Sequence, residues 1–353
     1  MPQRIGVLTF HRCINFGSFW QARCLVEGLR ARGHDAVLLD HQSRRIDLVE
    51  WRCALRPDAV IAHNWYRAEY VSKTRRFFEA FETLPLSEPF PLDQPQDAGD
   101  YDLVLVGSDE VFNLRHPWFG GKKLFYGEGL STKRLASYAA SFGNQPADEG
   151  LSGEWAERLR RFDQISVRDH NSLQLVEGAL GFSPAMVLDP CLQWADLVPK
   201  QALENEAPYA VVYGHGFPEW FQKSTRSWAD RHGLKLLSLG YHNGWADEQR
   251  IDVGPFEFAA LMTGSSAVAT NFFHGCVFAL INGKPLVTAP SQYRFNKVRD
   301  LVSLLGAEQH MVDETTTEEQ YDALLTHGLS PAIGERITAL RLQSDDYLNH
   351  VLS

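Results

Sequence analysis

Cysteine is scarce in this sequence: five in 353 residues, at positions 13, 24, 53, 191 and 276. The number is odd and no two are spaced like metal ligands. Neither a disulfide framework nor a structural metal site is expected, and the five read as free thiols in a reducing compartment. No apolar run approaches the roughly 20 residues that a membrane-spanning helix needs. The chain enters a strand-like run at once, without a signal-peptide pattern, so a cytoplasmic protein is expected. Positive charge is also short: 34 Lys and Arg stand against 44 Asp and Glu, a net charge of −10. That balance argues against nucleic acid as a partner and leaves room for a local basic site that takes an anion. G-x-G-x-x-G does not follow the first strand, so a dinucleotide cofactor is not expected. Fixed-period repeats and low-complexity tracts are missing too.

What is present is an alternation of buried-type strands and helical spacings. With 44% hydrophobic and 22% charged residues, 353 positions suit two globular domains. Residues 5–10 (IGVLTF) predict a strand, 19–32 a helix closed by Gly33, and 36–40 (AVLLD) a second strand, a βαβ opening. Strands follow at 103–106, 135–140, 165–167 and 186–188, with helices at 154–162 and 171–180. Residues 194–208 lack a clear period and mark the boundary between a first domain, 1–200, and a second, 207–353. The second series predicts strands at 209–213, 235–239, 267–270 and 286–288, and helices at 220–232, 255–262, 276–281, 298–305, 316–325 and 331–352. The last helix is expected to pack back on the first domain. The fold class is therefore α/β, two Rossmann-like domains with a ligand cleft between them. Residues 46–81 interleave Trp51, Arg52, Trp65, Tyr66, Arg67, Lys73, Arg75 and Arg76. Two readings stand for that stretch: a solvated helix face, and a patch for peripheral contact with anionic lipid at the inner face of a membrane.

Candidate site residues sit where strands end. Residues 265–290 read strand, corner, helix, strand, with Asn271, His274 and Gly275 in the corner. A helix start suits an anion, and His274 there can exchange a proton near neutral pH; the alternative is a buried histidine that closes its own turn. Asp109, after the strand at 103–106, is a general base or an acceptor for sugar hydroxyls, or else a turn cap. Asn15 binds a ligand hydroxyl or phosphate, or else caps the first helix. Arg168 directly after a buried strand needs an anion or an acid partner, and Asp169 beside it is one such partner.

Taken together, several short pieces carry a resemblance. They are Asn15-Phe16-Gly17 with Gln21, Gly107-Ser108-Asp109 with Phe112-Asn113, the run 137–143 (SYAASFG), Ile165-Ser166-Val167-Arg168-Asp169, Leu188-Asp189-Pro190 and Thr270-Asn271-Phe272-Phe273-His274-Gly275. In order and spacing along most of its length, the chain resembles the polysaccharide pyruvyl transferase family. The resemblance implies two Rossmann-like domains in the two-domain glycosyltransferase (GT-B-like) arrangement, with the acceptor on the first and the donor on the second. It implies phosphoenolpyruvate as donor substrate, with no metal or organic cofactor. The acceptor would be a sugar of a cell-surface polysaccharide or of its lipid-linked precursor, and the product a pyruvate ketal. By matching position, His274 and Arg168 become donor-site residues, His274 as general acid and Arg168 on phosphate or carboxylate. Asp109 is the candidate base. Asn15, Gly17, Asn271, Gly275 and Arg294 are further substrate contacts.

One position departs from the pattern. Two residues before the histidine, where relatives often carry Ser or Arg, this chain has Phe272. A cation for the donor phosphate then comes from Arg294, Lys297 or Arg168, or else Phe272 is core and the donor differs. The alternative function is a glycosyltransferase of similar fold that uses a nucleotide sugar.

Overall fold

The computed structural model describes residues 2–56, 66–203 and 207–353, so Trp65 lies outside the described residues. In chain order the first elements are β1 (Arg4–Leu8), α1 (Phe16–Ala31), β2 (Asp35–Leu38), β3 (His41–Gln42), α2 (Arg44–Leu55), α3 (Arg67–Phe81), β4 (Phe90–Pro91), β5 (Asp100–Asp109) and β6 (Ser131–Ala140). They continue with α4 (Gly153–Leu159), β7 (Ser166–Val167), α5 (His170–Leu180), β8 (Ala185–Met186) and α6 (Pro190–Gln193). The second series is β9 (Tyr209–Tyr213), α7 (Glu219–Arg231), β10 (Lys235–Leu239), β11 (Glu248–Arg250), α8 (Pro255–Gly264), β12 (Val268–Thr270), α9 (Phe273–Ile281) and β13 (Leu286–Thr288). Three helices close the chain: α10 (Phe295–Leu305), α11 (Glu318–Thr326) and α12 (Pro331–Leu352).

The described residues divide into two compact units. One is Met1–Glu50 with Thr83–Leu197 and Ile337–Ser353; the other is Trp51–Glu82 with Val198–Arg336. Neither unit is one continuous stretch: α3 belongs with the later half of the chain, and the end of α12 with the earlier half.

The first unit is built on a six-stranded sheet, in the order β2-β1-β5-β6-β7-β8, with every pair parallel. Residues Ile5, Val7, Leu103, Val104, Leu105 and Val106 are almost wholly buried, as a parallel sheet covered on both faces requires. Alpha-1 covers it with Phe19, Trp20, Leu25 and Leu29. The other core gathers Leu8, Phe10, Phe112, Phe125, Tyr126 and Phe142.

The second unit repeats the plan with five parallel strands, β11-β10-β9-β12-β13. Its core packs Val212, Phe221, Trp228, Leu236 and Val287. All nine residues of α9 are buried, which is why that helix is apolar on every side. A β-carbon on Gly275 would lie 2.1 Å from Thr270 Oγ1, so glycine at this position lets α9 seat on β12. No helix among the described residues is long and apolar enough to cross a membrane.

Candidate functional site

In the first unit, β5 runs on through Gly107 and Ser108 to Asp109, so the residues expected just beyond the strand are its last three. Gly107 has φ 124°, and a β-carbon there would lie 2.1 Å from the Tyr138 carbonyl oxygen. Asp109 itself is left-handed, at φ 75°, an uncommon state for a residue with a side chain and one that concentrates at functional sites. Its Oδ2 accepts from Ser18 Oγ at 2.8 Å, and its Oδ1 accepts from Arg168 Nη2 at 3.1 Å and the Glu110 N–H at 2.9 Å.

Arg168 leaves β7 and is nearly wholly buried. Nη1 donates to Asp189 Oδ2 at 2.8 Å and to Ser108 Oγ at 3.1 Å. Burial works against its charge, and Asp109 and Asp189 more than offset that, so the guanidinium stays charged. Its hydrogen bonds thus run to Asp109, Asp189 and Ser108, while Asp169 and Glu110 add negative charge nearby. Asp169, the neighbour that sequence offered as partner, instead accepts the Ser172 N–H at 2.8 Å and caps α5. An anion approaching Arg168 meets two carboxylates, so the arrangement suits holding Asp109 better than holding a phosphate.

Asn15 caps α1, its Oδ1 accepting the Ser18 N–H at 3.1 Å, and Gly17 is buried in the first turn of that helix. The capped turn places Ser18 against Asp109. Asn15, Gly17, Asp109 and Arg168 are therefore brought to one end of the first sheet.

A second group on the same unit went unread in the sequence. Arg12 grips Asp40 through Nε at 2.6 Å and Nη2 at 2.8 Å, and His11 Nε2 lies 3.0 Å from the same carboxylate. Burial opposes ionisation of Asp40, but Arg12 and His11 outweigh it and hold the carboxyl below its ordinary range. Burial lowers His41 to about 3. Glu50 accepts the Ile14 N–H at 2.5 Å, and burial pushes its carboxyl up to about 7. His11, Arg12, His41 and Glu50 line a pocket of about 20 Å³, room for one water, with Phe10, Cys13 and Phe119. The available signal was position: residues 9–13 follow β1 and residues 40–41 follow β2, at the carboxyl edge where ligands bind.

In the second unit the corner turns tighter than its sequence suggests. Alpha-9 begins at Phe273, so His274 and Gly275 lie in its first turn, and Phe272 is the N-cap without a side-chain cap hydrogen bond. A helix start of this kind directs N–H groups and a partial positive charge outward. Asn271 Nδ2 donates to the His215 carbonyl at 2.8 Å.

The Phe272 ring stands in a cluster of rings. It meets Tyr213 at 4.9 Å, Tyr241 at 5.3 Å and His215 at 5.5 Å, all edge-on. Over the same ring lies the Arg294 guanidinium, 4.3 Å from the centroid. Arg294 Nη1 donates to Ser291 Oγ at 3.1 Å. Lys297 lies toward Tyr293 instead, at 5.7 Å. Ser291 and Asn271 share a pocket of about 480 Å³ with Gly216, Trp220, Pro290 and Phe295. Its size falls in the range of small-ligand sites. Asn271, His274, Gly275 and Arg294 are thus gathered around the start of α9 or held to its cap.

A family model described as polysaccharide pyruvyl transferase matches residues 15–290. Among curated proteins none matches. Solved structures match over nearly the whole chain at low identity. A Staphylococcus aureus protein, MnaA bound to UDP, shares 12% identity over 99% of this chain and 96% of its own, with a TM-score of 0.55. The UDP-GlcNAc 2-epimerase of Methanocaldococcus jannaschii, in complex with UDP-GlcNAc and UDP, shares 12% over 95% of this chain and 98% of its own, at 0.51. The Streptomyces sp. SF2575 glycosyltransferase SsfS6, complexed with thymidine diphosphate, shares 14% over 98% and 96%, at 0.48. At such identities the likeness concerns the fold alone, and that fold is the GT-B-like type, α/β with parallel sheets.

Proposed function

Because the chain belongs to the polysaccharide pyruvyl transferase family, we propose that it moves the pyruvyl group of phosphoenolpyruvate onto two hydroxyls of one sugar, closing a ketal and releasing phosphate. The acceptor is a sugar of a polysaccharide or of its lipid-linked precursor. Phosphoenolpyruvate brings a phosphate and a carboxylate, and the second unit offers groups suited to both. The observation that carries the reading is the start of α9. His274 stands in a first turn whose N-cap, Phe272, makes no side-chain cap hydrogen bond, and Arg294 lies against that cap residue.

In this reading His274 protonates the methylene carbon of the donor. The neighbouring carbon becomes electrophilic, and a sugar hydroxyl adds to it and gives up its proton. The carbon–oxygen bond to phosphate breaks, the second hydroxyl closes the ketal, and its proton leaves with the phosphate. Asp109 receives the acceptor proton. Its carboxylate is held and oriented by Arg168 and Ser18, so Arg168 acts through Asp109.

The test is phosphate release from phosphoenolpyruvate in the presence of acceptor glycans, with mass spectrometry of the glycan product. A mass gain of one pyruvate ketal is expected. His274→Ala should lower turnover by about 100-fold or more. Glycosyl transfer from a nucleotide sugar, without use of phosphoenolpyruvate, would overturn the reading.

A further inference from the structure

We infer that Phe272 is the seat of an anion-binding arginine: its ring fixes the Arg294 guanidinium so that the second unit takes the phosphate or carboxylate of its ligand through a residue 22 positions beyond the corner. The inference rests on the donor reading above for the ligand's name, and on geometry for the rest.

Three observations carry it. The guanidinium lies 4.3 Å from the ring centroid, within the range of a cation–π contact. Among the described residues no carboxylate pairs with Arg294, whose hydrogen bond runs to the neutral Ser291 Oγ. No described carboxylate therefore neutralises its charge. Ser291 and Asn271 line the same pocket of about 480 Å³, so the arginine's anchor and the corner residue border one cavity.

Stacking has a consequence for recognition. A guanidinium lying on a ring keeps its N–H groups in its own plane, directed outward from the edge. That edge is the part that meets two oxygens of a phosphate or carboxylate at once. The ring also removes freedom that the long side chain would otherwise lose on binding. Phe272 is itself buried and braced by Tyr213, Tyr241 and His215, so the platform is rigid. Phe272 is a positioning residue here, and Arg294 the residue that touches the ligand.

The experiment is calorimetric titration of the full chain with phosphoenolpyruvate and, separately, with inorganic phosphate. The variants are Arg294→Ala, Arg294→Lys, Phe272→Leu and Phe272→Tyr, each first checked for an unchanged melting temperature. Arg294→Ala should weaken binding on the order of 10- to 100-fold, the loss expected of a hydrogen-bonded charge. Phe272→Leu should weaken it roughly 3- to 10-fold, and Phe272→Tyr, which keeps the ring face, should restore it. Arg294→Lys should fall between wild type and Arg294→Ala, because it keeps charge without the planar fork.

Wild type that binds while Arg294→Ala and Phe272→Leu bind equally well would overturn the inference and leave the donor reading standing. Binding of phosphate without phosphoenolpyruvate would remove the donor reading, and the ranking of the variants toward phosphate would then decide the seat. Wild type that holds neither ligand would remove both.

Discussion

Each unit places an arginine beyond the carboxyl end of a strand, and the two are held in opposite ways. Arg168 follows β7, is nearly wholly buried, and is matched by Asp109 and Asp189. Arg294 follows β13, is half-buried, and rests on the face of Phe272. The first side chain brings one positive charge to two negative ones, and its gain is fixed geometry. The second rests on a ring and donates to a neutral hydroxyl. The same residue type thus faces two carboxylates in one unit and an aromatic ring in the other.

The largest expected effect tests that difference directly. Arg168→Met removes the guanidinium that donates to two buried carboxylates, Asp109 and Asp189, and should lower the unfolding free energy by about 3–5 kcal/mol. Arg294→Ala removes a half-buried contact worth about 1 kcal/mol and should leave stability nearly unchanged while weakening anion binding. Denaturant titration of both variants checks this. Equal losses would break the comparison and make Arg294 a scaffold as well.

That contrast was not legible in the sequence, and the reason is separation. Asp109 and Asp189 lie 59 and 21 positions from Arg168. Only Asp169 was adjacent, and its side chain was taken by the first turn of α5. Local features were more readable. The strands at 209–213, 235–239 and 286–288 were expected with the bounds they have, because each is a short, mostly apolar stretch set off by polar, Gly or Pro residues. Alpha-9 begins three residues before its expected start, since Gly275 looked like a turn residue and is a packing residue. Beta-11 (EQR) is polar and gave no strand pattern; it forms by pairing along β10. The Phe272–Arg294 contact joins residues that sequence had already named, yet nothing in their spacing brings them together.

A second pair sharpens the comparison, since each unit also buries one ionisable group whose proton affinity is drawn toward neutrality. In the first unit it is Glu50, raised from 4.5 to about 7 by burial, beside Cys13, the Ile14 N–H and Asp47. The unfolded chain releases this proton near 4.5 and the folded protein near 7. Between those values the folded state binds more protons, so its contribution is complete below 4.5 and is lost as pH rises through 7. Glu50→Gln keeps an acceptor for Ile14 and removes the charge. It should add up to about 3 kcal/mol at pH 8 and nearly nothing at pH 4.5. Unfolding measured from pH 5 to 8 should show the gain grow with pH; a constant gain would show that the carboxyl does not titrate in the fold.

Lys73 in the second unit should show the opposite slope and a smaller net effect. Nζ donates to the Gly240 carbonyl at 2.8 Å and lies 4.3 Å from the Tyr241 ring centroid. Burial nonetheless lowers it from 10.5 to about 7. The unfolded chain therefore holds this proton up to 10.5, while the folded protein releases it near 7. Below 7 both states are charged and the cost of burying the ammonium is complete, about 5 kcal/mol on this difference. Between 7 and 10.5 the unfolded state binds more protons, and stability rises with pH. Lys73→Met removes that cost, but leaves the Gly240 carbonyl without this donor and Tyr241 without its cation, which together return about 2–4 kcal/mol. The variant should gain about 1–3 kcal/mol at pH 6, and by pH 9 that gain should fall by about 3 kcal/mol, to near zero or below. A gain equal at pH 6 and pH 9 would mean that Lys73 stays charged in the fold, and that its ring and carbonyl hold the ammonium as firmly as Phe272 holds Arg294.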